Sequence, residues 1–146
     1  MVSLILVDTN LLIYASFRAL PQYRAARQWL DGQLTGPARL GVPWQSLLGF
    51  LRIATNPRVF SKPASMEGAW DQVITWLGCD VVWVPQPTER HPELLGRFLA
   101  LPGVRANLVH DAHLAALAIE HGLIMCSTDG DFARFPGLRW QNPLAA

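Results

Sequence analysis

At 146 residues, 51% of them hydrophobic, the chain has the length of one domain and is too apolar to be disordered; a net charge of +1 gives it no bulk attraction to polyanions. No apolar run reaches the ~20 residues of a membrane span, and MVSLILVDTN lacks a basic n-region and meets an Asp too early for a secretory signal. Cys79 and Cys126 stand far apart with no CxxC, which argues against a zinc site or a disulfide framework and predicts two reduced thiols in a cytoplasmic protein.

Strand-like and helix-like runs alternate along the chain, which predicts an α/β fold without an internal linker or repeat. VSLILV (2–7) is a short apolar run without alternation, as in a strand buried on both faces. After Asp8 a helix starts at about Thr9, and a second is predicted from Pro21 to Gln33. Leu20, Tyr23, Ala26, Trp29 and Leu30 form its apolar stripe, either core or a surface for a partner helix. Arg39–Val42 is a short strand closed by Pro43, and Trp44–Thr55 is a helix that stops before Asn56-Pro57. Ser65 caps a helix ending at Leu77. Asp80–Val84 is a strand, 92–101 a helix, and Pro102-Gly103 a break. NLVHDAHLAALAIEHG is the clearest helix, with Asn107 as its cap and Gly122 at the left-handed C′ position. Leu123–Cys126 is a buried strand and Leu138–Trp140 a last short one.

Such a chain predicts a parallel sheet with helices on both faces, and ligands of these sheets bind at the carboxyl ends of the strands. Asp8 directly follows the first strand, and Asp129 and Asp131 of STDGDF follow the strand ending at Cys126. Asp111 lies in the first turn of its helix, on the sheet-facing side with Leu114, Ala115 and Ala118. Carboxylates gathered at one edge repel one another unless a divalent cation joins them, and hard oxygen donors select Mg²⁺ or Mn²⁺ over zinc. Each acid alone has a simpler reading. Asp8 suits a helix N-cap, Asp111 complements a helix dipole, and DGD is ordinary turn chemistry. Their placement at one edge is what favours a metal site. Setting these four aside leaves twelve basic residues, eleven of them Arg, against seven acidic ones. Phosphate recognition and a GC-rich genome account for that bias equally well.

VDTNLLIYA, HDAHLAALAIEHG and CSTDGDFARFPGLRW with the closing NPL resemble, in order and spacing, the PIN-domain ribonucleases, in particular the VapC-type toxins of bacterial toxin–antitoxin pairs. FLRIATNPRVF resembles a run from one actinobacterial-type branch of them. The resemblance implies a three-layer α/β/α PIN domain over 1–146 with a mostly parallel sheet. It implies a Mg²⁺- or Mn²⁺-dependent endoribonuclease leaving 5′-phosphate and 3′-hydroxyl ends. A cognate antitoxin and a homodimeric state are implied as partners. Asp8, Asp111 and Asp129 match the family's metal ligands, and Asp131 stands where a further polar or acidic residue often completes the site. Asn10 and Thr128 match residues that orient the ligands.

One departure stands out. The family's second acid is usually a Glu on the helix read here as 44–55, yet no acid occurs between Asp31 and Glu67. Leu47 and Gly49 stand near its place, and Gln45 or Ser46 could hold a water instead. The gap keeps open a catalytically weak or inactive RNA-binding or regulatory module. A receiver or phosphatase domain fits worse, because Lys62 is the sole lysine and Asn10 breaks the DxD pattern. Arg52 and Arg58, flanking TNP, and His110, beside Asp111, are candidates for contacting substrate. His110, His113 and His121 otherwise read as surface residues of one helix. The six tryptophans read as core or interface anchors.

Overall fold

The structure, a computed structural model, describes residues 4–145. Positions 2 and 3 of the first predicted strand lie outside them. The elements are β1 (Ile5–Val7), α1 (Thr9–Tyr14), α2 (Tyr23–Leu34), β2 (Leu40–Gly41), α3 (Trp44–Ala54), α4 (Met66–Leu77), β3 (Val82–Trp83), α5 (His91–Leu99), α6 (Leu108–Glu120), β4 (Ile124–Cys126) and β5 (Trp140–Gln141). A 3₁₀ turn, Gly130–Arg134, follows β4. The strands pair in the order β3-β2-β1-β4-β5, all parallel. β2, β3 and β5 are two-residue strands, shorter than or shifted from the runs the sequence suggests. The limits of these strands are set by pairing with a neighbouring strand, which hydrophobic pattern alone does not mark.

β1 is buried on both faces, as its unbroken apolar run predicts. Ile5 and Val7 join a core with α1, α2, α3 and α4; Leu6 joins another with α5, α6 and Met125. The stripe on α2 is largely core: Ala26 and Leu30 are buried, and Leu20 and Trp29 pack against them. In α6 Ala112 and the run Leu114–Ala118 are buried. A helix apolar on nearly all sides must lie inside the protein, and its alanines let α5 and the sheet approach closely. Ser65 caps α4 by accepting from the Gly68 N–H (3.0 Å), and Gly122 takes φ +66° after α6; both follow the sequence expectation.

The histidines of α6 correct it. His110 is exposed, but His113 and His121 are tied down. The Thr88 N–H and hydroxyl donate to Glu120 Oε1 (2.7 and 2.6 Å), while Glu120 Oε2 engages His91 Nδ1. His91 Nε2 meets His113 Nδ1 at 3.0 Å, and His121 Nε2 bonds Gln86 O at 2.7 Å. This clasp locks the chain before α5 onto the end of α6. Only tertiary packing brings those residues together, so spacing along α6 could not reveal it.

α1 and α3 share the first core and also meet at one close polar contact. Thr9 Oγ1 donates to Ser46 O (3.0 Å), and its side chain fills the space where a Cβ at Gly49 would stand. Gly49→Ala is expected to cost about 1–3 kcal/mol by overpacking. Adding Thr9→Ala should recover part of that loss. Urea unfolding of all four members of the cycle measures the coupling, and additive losses would show that the two positions are independent.

Candidate active site

All five strands end at one edge of the sheet, and β1 and β4 are neighbours with Val7 opposite Cys126. The residues after them, Asp8 and Ser127, therefore emerge side by side, and the Asp8 N–H donates to Cys126 O (3.0 Å). Asp8 is both the N-cap of α1 and a member of the acid group. Its Oδ1 accepts from the Thr9 N–H (2.8 Å), and its Oδ2 accepts from the Ser127 hydroxyl (2.7 Å).

Ser127 Oγ also accepts from Asn10 Nδ2 (3.1 Å) and from the Asp129 N–H (3.0 Å). One fully buried hydroxyl thus joins the loop after β1 to the loop after β4. The sequence reading assigned the orienting role to Asn10 and Thr128. Asn10 has such a bond, whereas Thr128 makes no side-chain hydrogen bond among the described residues and Ser127 provides it instead. The signal was present: a Thr-x-Asp pattern ending at Asp129 puts its hydroxyl at position 127.

Across from Asp8, Asp111, Asp129 and Asp131 each offer a carboxylate oxygen within 4.8 Å of the others. Asp129 Oδ1 accepts from the Asp131 N–H (2.9 Å) and starts the 3₁₀ turn, so the turn chemistry and the acid cluster coexist. Asp131 pairs with Arg134 Nη2 at 3.2 Å. Burial first, then the charges of Asp129, Asp8 and Asp131, push the Asp111 carboxyl up to about 7, against a smaller pull from Arg134. Burial likewise raises Asp8, opposed by its bonds from Ser127 and Thr9.

Asp111 borders two cavities. The first, of 240 Å³, is lined by Asp8, Gln45, Gly49, Arg52, His110 and Asp111 among others. The second, of 440 Å³, lies between Asp111, Asp129 and Asp131 and the segment Gly103–Leu108, without Val104. Arg52 and His110 thus stand beside the acids. Arg58 is exposed and lines neither cavity; its N–H turns back to Asn56 Oδ1 (2.9 Å). On α3, Ser46 is buried and donates to Val7 O (2.6 Å), which removes it as a holder of water in the cleft. Gln45 remains, and at Gly49 the Thr9 side chain occupies the space an acid would need.

The raised Asp111 value has a thermodynamic sign. Between its unfolded value near 3.8 and about 7, the folded protein binds more protons than the unfolded one, so stability falls as pH rises through that window. In divalent-free buffer the melting temperature of Asp111→Asn is expected to decline less with pH than that of the unsubstituted protein. Parallel profiles would mean that Asp111 titrates as an ordinary carboxylate.

The profile of the PIN domain matches residues 5–138. Ribonuclease VapC37 of Mycobacterium tuberculosis is 44% identical over 140 residues, covering 96% of this chain and 97% of that protein. The structure is similar to that of VapBC2 from Rickettsia felis bound to a DNA fragment from their promoter, with a TM-score of 0.69 and 16% identity over 95% of this chain and 98% of that one. A toxin–antitoxin complex from Klebsiella pneumoniae gives 0.62 at 20% identity, covering 95% and 97%. These two likenesses speak to the fold, a five-stranded parallel sheet between helices. With the profile spanning almost all of its length and so near a relative matched end to end, the chain belongs to the PIN-domain family, beside the VapC ribonucleases.

Proposed function

We propose that the chain is an endoribonuclease, the toxin of a type II toxin–antitoxin pair, which cuts RNA with the help of a divalent cation held by Asp8, Asp111, Asp129 and Asp131. One observation carries this reading: three carboxylates meet within 4.8 Å at the carboxyl edge of the sheet, and a fourth close by adds to the repulsion at Asp111. Similarity to a ribonuclease supports RNA as the substrate. Similarity to a toxin–antitoxin complex supports an antitoxin as the partner. A homodimer rests on the family resemblance.

The donors fit such an ion. All are carboxylate oxygens, and burial with repulsion from neighbouring acids disfavours the charge of Asp8 and Asp111, which a dication would restore. Hard oxygen ligands favour Mg²⁺ or Mn²⁺. When bound, the ion supplies positive charge for the phosphate in the transition state and lowers the pKa of water.

The remaining work falls to the chain's own groups. Ser127 and the Thr9 N–H fix the Asp8 carboxylate, while the bond from the Asp131 N–H fixes that of Asp129. Arg52 and His110 line the first cavity, where they meet phosphate oxygens of a bound strand. Water attacking opposite the departing 3′-oxygen leaves a 5′-phosphate and a 3′-hydroxyl. Gln45 is the uncharged polar side chain that α3 brings to the acids, and it orients water there. The lack of an acid on α3 favours one other reading, a PIN module that binds RNA without cutting it. Among the described residues no helix is long and apolar enough to cross a membrane, and action on RNA fits a cytoplasmic site.

Purified protein free of any antitoxin is expected to cleave total RNA in Mg²⁺ or Mn²⁺ and to stop in EDTA. Asp8→Asn and Asp111→Asn should each lose at least roughly 100-fold in rate while retaining the fold by circular dichroism. Full activity in both variants sinks the assignment; RNA binding without cleavage in any metal selects the non-cutting module. Ser127→Ala removes a group that orients a ligand, and about 10–100-fold more cation should be needed for half-maximal cleavage. An unchanged metal requirement would limit Ser127 to folding.

A further inference from the structure

Asn107 stands at the N-cap position of α6, and its residue type suits that role, yet its side chain makes no capping bond. Its backbone is helical, at φ −62° and ψ −24°, rather than extended as in an ordinary cap. The main chain satisfies the helix start instead: the Leu108 N–H donates to Arg105 O and the Val109 N–H to Ala106 O, each at 3.1 Å. Ala106 carries φ +52°, a left-handed conformation that disfavours a residue with a Cβ. The turn therefore holds itself together and leaves the Asn107 carboxamide uncommitted. Asn107 lines both cavities, as Asp111 does.

Arg105 lines the second cavity together with Asp111, Asp129 and Asp131. Arg134 pairs with one of these acids, but Arg105 forms no salt bridge among the described residues. Arg52, in the first cavity, is likewise without one among those residues. A guanidinium that lines a cavity with carboxylates without pairing to them is available to another anion. A cleft carrying four acids would otherwise repel a polyanion.

We propose that Arg105 and Asn107 contact the substrate: single-stranded RNA crosses the start of α6 with the reacting phosphodiester over Asp111. One flanking phosphate meets Arg52 in the first cavity and another meets Arg105 in the second. The Asn107 amide donates to the phosphate between them. This inference rests on the ribonuclease reading. It makes the cleft open on both sides of the acids, so that a strand can pass through and be cut internally. These contacts read the backbone and are indifferent to base identity.

The probe is a short fluorescein-labelled single-stranded RNA of mixed sequence. Its binding is followed by anisotropy in Ca²⁺ across a KCl series, and its cleavage by single-turnover kinetics in Mg²⁺. Arg105→Ala should weaken binding several-fold at low salt and reduce the slope of log affinity against log salt by about 0.7, one phosphate contact on a single strand. Arg105→Lys should retain the slope. Asn107→Ala should lower the cleavage rate at saturating RNA about tenfold, as expected of a lost positioning contact. Its melting temperature should match that of the unsubstituted protein, because no capping bond is lost. Unsubstituted slope and rate in both alanine variants overturn the proposal while leaving the nuclease intact. A loss of both melting temperature and activity in Asn107→Ala, restored by Asn107→Ser, makes the residue a cap and overturns its assignment. Absence of RNA binding and cleavage in the unsubstituted protein overturns this inference and the ribonuclease reading together.

Discussion

The hydroxyl of Ser127 is the point on which the acid edge depends. It donates to Asp8 and accepts from Asn10 and from the Asp129 N–H, so one oxygen sets the relative position of two loops from two strands. Its main chain is equally committed: the N–H donates to Gln141 O, and the carbonyl accepts from Trp140 Nε1. With each of its polar groups engaged and the residue fully buried, Ser127 has no freedom to relax. The edge strand β5 is thereby coupled to the carboxylates, although it contributes no acid itself.

The same edge gathers like charges in a partly dry place, an arrangement that works against folding. The protein tolerates it by dividing the load. Asp8 is compensated by two donors and Asp131 by Arg134, while Asp111 feels the charges of Asp129, Asp8 and Asp131 on top of its burial. The residual strain is specific to the charged form, so a cation or a proton relieves it. The rest of the molecule supplies the rigidity that keeps the acids from drifting apart. The buried run Leu114–Ala118 of α6 packs between α5 and the sheet, and the Thr88–Glu120–His91–His113 clasp holds its far end.

What the sequence disclosed and what it hid divide along physical lines. The unbroken run before Asp8, the alanine-rich helix after Asn107 and the turn at Gly122 depend on neighbours in the chain, and they were legible. So was the meeting of Asp111, Asp129 and Asp131, because parallel strands oblige their carboxyl ends to share an edge. The two-residue strands were overdrawn, since their limits depend on pairing with a partner strand. The bond expected of Thr128 is made by Ser127, a one-residue offset that matters because Ser127 is fully buried and Thr128 is not. Ser46 and His113 look free in sequence and are spent on Val7 O and His91 in the fold. Asn107 has the residue type of a cap without performing as one, because the Ala106 conformation closes the helix start first.

The contact between Thr9 and Gly49 bears on the history open to this protein. A side chain at position 49 collides with Thr9, so an acid introduced there alone meets a filled space. Trimming Thr9 first forfeits the bond to Ser46 O with no immediate gain. Either order passes through an intermediate that is overpacked or has lost a bond, so the two residues constrain each other. Position 45 has no such barrier. Gln45 already borders the acid cavity and differs from Glu by a single nucleotide. A carboxylate on α3 is thus open to this chain one turn before position 49.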